Sequence, residues 1–400
     1  MLCFLVKHDS GGMRSLPREK PVQGRALRLI TTSLVLISLA LLAACGGSKS
    51  TACNEAGSCC GGSAALCVAP EYVYANGLDG QVYIFPVDNS SGAVSSPTSI
   101  AGATMSLGMA PLNSQFLYVS NPSANLNQGS SIDAWSIDLG TGTLTSVAGS
   151  PFSLGAPSFS VGLAADNATQ TLYVAEGGEI DALKADANGA LTPVSGSPFL
   201  AGYNFYLTVD PQNRFLFATD NIVPASVLAF TIDPSTGALT AVPGSPFATS
   251  ANSGGLQLGI VADSSGKFVY TVMQTTSQIA GFSIASPSGA LTPIPGSPFA
   301  AGNQPIALAT VNNFLYVSNI GDETLSGYSI DSTTGVLTPL AGSPFAIRAG
   351  SLTTDLAGNY LYTAGSGGVM AFKIDATTGT LTQVGSAIPF PGATVLAFVQ

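Results

Sequence analysis

The chain is predicted to be all-β and to fold as a seven-bladed β-propeller, and three observations carry that prediction. A glycine-headed phrase recurs at a regular period, each period holds the same four strand-like phrases, and the repeating body starts and stops within a period.

The phrase GALTPVSGSPF at 189–199 recurs as GTLTSVAGSPF from residue 142, GALTAVPGSPF from 237, GALTPIPGSPF from 289 and GVLTPLAGSPF from 335. Looser copies begin at 379 (GTLTQVGSAIPF) and at 92 (GAVSSPTSI). The seven heads, Gly92, Gly142, Gly189, Gly237, Gly289, Gly335 and Gly379, are spaced by 44 to 52 residues. Four short antiparallel strands and their turns occupy such a length.

Within each period the first recognisable strand is aromatic and β-branched: YVYAN at 72–76, LYVSN at 117–121, LYVAE at 172–176, LFATD at 216–220, VYTVM at 269–273, LYVSN at 315–319 and LYTAG at 361–365. An alternating strand follows, such as IDAWSID at 132–138, then the G-x-L-T phrase. The fourth phrase is rich in Ala and Gly, as in SVGLAAD near 160 and IALAT near 306. Alternation between Gly, Pro, Asn and Asp breaks is a strand-and-turn signature. The small residues of the fourth phrase suit the crowded strand nearest the axis, and the aromatic phrases suit the faces where blades pack. Phe152, Phe199, Phe247, Phe299 and Phe345, each after Ser-Pro, are expected to wedge between blades. Trp135 occupies the slot of Phe85, Phe230, Phe282, Tyr328 and Phe372, and is expected in the core.

The body enters at an aromatic strand with no inner strand before it and ends in ATVLAFVQ, an inner strand. Blade one is therefore predicted to combine strand 393–399 with three strands from residues 71–100, which closes the ring and removes sheet edges.

Ahead of this body, residues 29–44 (LITTSLVLISLALLAA) follow six basic residues and precede Cys45. That is the pattern of an export signal, and Leu42-Ala43-Ala44-Cys45 resembles a bacterial lipobox. The expected organisation is a lipoprotein signal at 1–44, a Cys-rich tether at 45–70 and the propeller at 71–400, with translation starting at Met1 or Met13. Cys45 would carry the lipid and hold the protein on the cell envelope, each buried methylene contributing about 0.8 kcal/mol. Cys53, Cys59, Cys60 and Cys67 are expected to form two disulfides, the pairing left open; no C-x-x-C spacing favours a metal instead.

The whole chain carries a formal charge of -10. Without residues 1–44 it retains 6 basic and 20 acidic side chains. Such an acidic body repels nucleic acid, and the expectation is a monomer whose partners are the membrane and an envelope protein or glycan.

The one histidine, His8, lies in the leader, so the predicted mature protein has no imidazole for a triad or a metal. No G-x-S-x-G elbow or phosphate-cradling motif occurs. The remaining chemistry is carboxylates, amides and hydroxyls, and its placement follows from the topology. Loops after the aromatic strands and loops after the S-P-F phrases must share one face of the disc. The first set ends in Asn76, Asn121, Glu176, Asp220 and Asn319; the second contributes Tyr203, Asn204, Asn303, Gln304 and Arg348. Together they form a candidate ring for a sugar, a small polar ligand or a structural cation in the channel, with no other cofactor implied. The same Asn and Asp residues also suit strand-end turns. Asp166, Asp210, Asp263 and Asp355 fall at the opposite turns, where a structural role is expected.

The phrases YVSN, DPQNRFLFATD and GNQPIALAT, with the G-x-L-T-P-V strand, resemble the lactonase-like (YVTN-type) seven-bladed propellers, which include the 6-phosphogluconolactonases. The resemblance spans residues 71–400 and implies the fold more strongly than the activity. A phosphorylated lactone calls for Arg, Lys or His at the site. This chain offers Arg348 alone at the predicted mouth. The primary expectation is a non-catalytic binding or scaffolding lipoprotein. The alternative is a hydrolase of a neutral lactone that uses Glu176 or Asp220 as base.

Overall fold

The structure, a computed structural model, describes residues 70–102, 106, 108–122, 129–154, 162–203, 206–222, 224–249, 256–390 and 392–400. The expected leader, Cys45, the other four tether cysteines and Asn204 lie outside the described residues. Seven antiparallel sheets are present, and each inner strand contacts the next around a closed ring. The second blade is representative: inner strand Met109–Leu112, second Phe116–Asn121, third Ser131–Ile137 and outer Leu144–Ser146. Blade one joins inner strand Ala393–Val399 to Glu71–Gly77, Gln81–Val87 and Thr98–Ala101, with Tyr74 opposite Ala397. This is the closure expected from the two ends of the body.

The core is not central. Among the described residues it consists of seven apolar clusters, each shared by two adjacent blades. A blade is thus buried on both faces, which explains second strands that read as continuous apolar runs, such as the fully buried Phe215–Asp220. Trp135 sits in the cluster between blades one and two, 7% exposed. The five Ser-Pro phenylalanines each pack against such a cluster, and Phe390 does so in blade seven, edge-on to Tyr83 at 4.7 Å.

The G-S-P-F phrase also splits the outer strand. In blade two both Leu144–Ser146 and Phe152–Ser153 pair with the third strand. Between them the Ser150 hydroxyl accepts the Ala134 N–H at 2.9 Å, and Ser197, Ser245, Ser297 and Ser343 act likewise. A serine oxygen thereby replaces the carbonyl that an unbroken strand would offer.

The head glycine explains why the period exists at all. Tyr74, Tyr118, Tyr173, Tyr270 and Tyr316 each donate their hydroxyl to the carbonyl of a head glycine in the following blade, at 2.6 to 2.9 Å. Blade four carries Phe217 at this place. In blade seven the Tyr362 hydroxyl is buried with no acceptor among the described residues. Phenylalanine at Tyr316 is therefore expected to cost about 1–2 kcal/mol by stranding the Gly379 carbonyl. The same change at Tyr362 is expected to be neutral or stabilising. Urea unfolding midpoints of the two variants check this, and equal losses would refute it.

Candidate functional site

The seven inner strands enclose an axial cavity of about 360 Å³. Its size falls within the range of small-molecule sites. Every inner strand places an apolar side chain on its wall: Met109, Leu163, Leu207, Leu258, Ile306, Leu352 and Val395. Among the described residues, Tyr206 and Ser351 are the polar ones in its lining, and none there is charged. The expectation of small side chains at the axis is corrected here. Gly108, Gly162, Gly259 and Gly350 do line the cavity, but aliphatic side chains share the wall with them. Consecutive residues such as Leu258-Gly259-Ile260 and Ile306-Ala307-Leu308 border the axis, and aliphatic residues there, such as Leu163 and Leu207, pack at the same time between blades.

The candidate ring residues stand outside this wall. Glu176 follows the second strand of blade three and Asp220 ends that of blade four; they are 3% and 6% exposed. Asp220 accepts the Ser226 hydroxyl at 3.0 Å and the Ile222 N–H at 3.2 Å. The preceding loop closes over it, since a Cβ on Gly202 would lie 2.5 Å from its carboxylate. Asn319 is equivalent in blade six. Fully buried, it donates to Thr324 and Ser326 hydroxyls at 3.1 and 2.9 Å beneath Gly302. Asn121 occupies the same strand position in blade two and is half-buried.

Asn76 does not belong to this set. Anchored on Tyr74 and Tyr118, which make the same inter-blade bond, Asn76 aligns with Ser120, and Gly77 aligns with Asn121. A shift of one residue moves a strand side chain to the other face. YVYAN and LYVSN look alike as strings, yet their asparagines sit one register apart.

The second set is also dispersed. Tyr203, Asn303 and Gln304 are exposed on loops leading into inner strands. Asp322 accepts the Asn303 backbone N–H at 2.6 Å. Arg348 pairs with Glu323 at 2.6 Å, both more than half exposed, so the pair contributes at most about 1 kcal/mol. Arg348 borders a separate hollow of about 230 Å³ with Met370, Phe372 and Gln383. Among the described residues no group of three or more acidic, Cys or His side chains could hold a metal ion. Sequence reasoning missed the aliphatic wall, whose only signal was the Leu and Ile scattered through the Ala- and Gly-rich phrases.

The family model described as lactonase, 7-bladed beta-propeller, matches residues 73–398. The chain belongs to this family. Among solved structures, this lactonase-family propeller resembles a protein of Bacteroides uniformis provisionally assigned as a 6-phosphogluconolactonase, at TM-score 0.69 and 18% identity, over 83% of this chain and 100% of that one. It also resembles a periplasmic gluconolactonase of Pseudomonas aeruginosa, at TM-score 0.66 and 16% identity, over 83% and 99%. Identities this low establish the fold alone. A search of curated proteins finds no significant match.

The electrostatics of this lactonase-family propeller are concentrated at its turns. Asp88 receives hydrogen bonds from the Ser90 and Ser91 hydroxyls and amides, which hold its carboxyl at about 2. Backbone amides and neighbouring Thr residues lower Asp233, Asp331 and Asp375 in the same manner. Asp210 accepts the backbone amides of Arg214 and Phe215 and pairs with the Arg214 guanidinium at 2.7 Å. Where blade seven meets blade one the trend reverses. Burial, and next the Asp355 carboxylate, push Glu71 up; burial likewise raises Asp355, against the pull of the Tyr360 and Asn359 amides. Burial raises Asp133 in blade two.

For the raised groups the folded protein holds its protons more tightly than the unfolded chain. Their charged forms cost stability at neutral pH, and the cost fades as pH falls through the raised values. For the lowered groups, stability is present above the ordinary aspartate value of 3.8 and is lost as pH falls toward about 2. The melting temperature is expected to rise as pH falls from neutral toward the raised carboxyls of Glu71, Asp355 and Asp133, and to drop as pH falls below 3.8 toward about 2. Glu71→Gln should flatten the upper limb. Calorimetric melts from neutral to acid pH are the check; a melting temperature that only falls with pH would refute the seam assignment.

Proposed function

We propose that this propeller is a non-catalytic binding module held on the bacterial envelope through Cys45, taking an uncharged ligand, glycan or protein segment at its axis. The observation that carries this reading is the axial cavity itself: among the described residues none that lines it is charged, while Glu176 and Asp220 are buried outside it. An anionic sugar phosphate would lose its hydration there without gaining a cation. Affinity capture with the full chain from envelope extracts is the test, and failure to recover any reproducible partner or glycan counts against it. The anchoring is tested separately: fatty-acid label should enter the wild-type chain and not Cys45→Ser.

The family favours a second reading, hydrolysis of a neutral lactone. Glu176 or Asp220 would serve as the base that takes a proton from water, a role a carboxylate can fill. On this reading Glu176→Gln or Asp220→Asn lowers hydrolysis of neutral sugar lactones by roughly 100-fold or more. Rates equal to wild type in both variants eliminate it.

A further inference from the structure

Exposed large apolar side chains are not spread evenly over this molecule. Strands alternate direction, so loops after second and outer strands lie on one face, called upper here, and loops after inner and third strands on the other. Of the exposed large hydrophobics among the described residues, Leu78, Leu200, Tyr203, Ile222, Leu256 and Ile320 lie on upper-face loops or at the strand end leading into one, against Leu139 and Leu356 on the lower. Three of the six meet at one junction over blades four and five. The Asn221 N–H donates to the Tyr203 carbonyl at 2.9 Å, and the Gln257 N–H donates to the Asn221 side-chain oxygen at 2.6 Å. Tyr203, Ile222 and Leu256 therefore sit on three touching loops, 49%, 57% and 38% exposed, with Leu200, 83% exposed, at the strand end that leads into the Tyr203 loop.

The charges around this junction are as informative. Among the described residues of the upper-face segments 197–203, 206–209, 219–222, 224–230, 245–249, 256–260 and 272–281, Asp220 is the only charged residue, and it is buried; half-buried Glu179 stands opposite Leu200 at the edge of this sector. The lower face carries exposed Asp88, Asp138, Asp186, Asp233, Asp331 and Asp375, one for each of six blades. An anionic leaflet would repel that face and leave the upper sector unopposed. Apolar tips with an accompanying Tyr, on convex loops rather than in a groove, match the water–hydrocarbon boundary of a bilayer.

We propose that the upper face over blades four and five rests on a lipid surface, with Leu200, Tyr203, Ile222 and Leu256 entering the interfacial layer. The proposal rests on the anchoring at Cys45, which keeps a bilayer within reach. The 25 residues from Gly46 to Pro70 span at most about 80 Å, and less with the expected disulfides, so such a tether keeps the propeller near the bilayer without choosing a face. Docking would fix the orientation that a tether alone leaves free.

The test uses the full chain on vesicles of phosphatidylcholine and phosphatidylglycerol, with and without brominated acyl chains. The native Trp135 is buried and supplies a constant background. Ile222→Trp places a probe on the upper face, and Leu356→Trp places one on an equally open lower turn. Brominated lipid is expected to remove about half of the emission added by Ile222→Trp and none of that added by Leu356→Trp. Chain that floats with the vesicles but shows equal or no quenching at the two probes overturns the docking and leaves anchoring standing. Flotation and Ile222→Trp quenching that persist in Cys45→Ser uphold the docking by showing that it holds without the lipid, and the fatty-acid label decides the anchoring. Absence of flotation in every form overturns both. An Ile222→Trp signal that varies with protein concentration in the absence of lipid assigns the face to a second copy of the chain and overturns the proposal.

Discussion

Removal of residues 393–400 is expected to abolish the folded monomer. These residues supply the inner strand of blade one, in register from Tyr72–Val399 to Gly77–Ala393. Leu396, Phe398 and Val399 are 6%, 6% and 1% exposed, and burial of each such side chain contributes about 1.5–3 kcal/mol. Their combined loss, about 5–9 kcal/mol, matches the whole stability of a typical domain, about 5–15 kcal/mol. Phe398 also stacks on Tyr362 at 5.5 Å, so the seam between blades seven and one loses both partners at once. The bared edge of Glu71–Gly77 would then template association between chains. Size-exclusion chromatography with far-ultraviolet circular dichroism reads the outcome. A truncated chain that stays monomeric and melts like wild type would show that the ring holds without its closing strand.

The second large effect is expected at a head glycine. Gly189 has φ of +83°, a conformation that costs an L side chain about 1–2 kcal/mol. A Cβ there would also lie 2.5 Å from the Phe116 ring of the preceding blade. Displacing that ring in a packed seam adds about 1–3 kcal/mol, and the Tyr118 hydroxyl bond to the Gly189 carbonyl, 2.9 Å, would be disturbed with it. Gly189→Ala is therefore expected to lower stability by about 2–5 kcal/mol. Gly178 is the control, since a Cβ there meets nothing within 4 Å, and Gly178→Ala should leave the urea midpoint unchanged. Equal midpoints for the two variants would refute the account.

The repeated glycine was visible in the sequence as a spacing, and its purpose was not. A head glycine must turn the chain at positive φ, which local chemistry predicts. That its carbonyl also receives a tyrosine from another blade, some 63 to 71 residues earlier in the chain, is a tertiary fact. The same separation explains Asn76. Its string matches LYVSN, but only the bond from Tyr74 to Gly142 shows that blade one is offset by a residue. Phe390 was hidden for the opposite reason: A-I-P-F lacks the G-S-P signature, yet its ring fills the same wedge.

The candidate site was the least legible part. Asp220, Asn319 and Glu176 were found at strand ends because polar residues stand out in apolar runs. Whether such a residue opens to a cavity depends on the loop arriving from the neighbouring blade, as Gly202 does over Asp220. Neither periodicity nor residue type encodes that approach.

By itself the sequence determined the blade count, the strand order within each blade and the closure by the C-terminal strand. These follow from repeat period and alternation, which are properties of consecutive residues. Only the tertiary structure decided that the cores lie between blades, that the axis is walled by aliphatic side chains, and that the carboxylates are folded away beneath loops. Those outcomes depend on contacts between residues a full blade apart, where packing, and not local pattern, sets which side chain meets water.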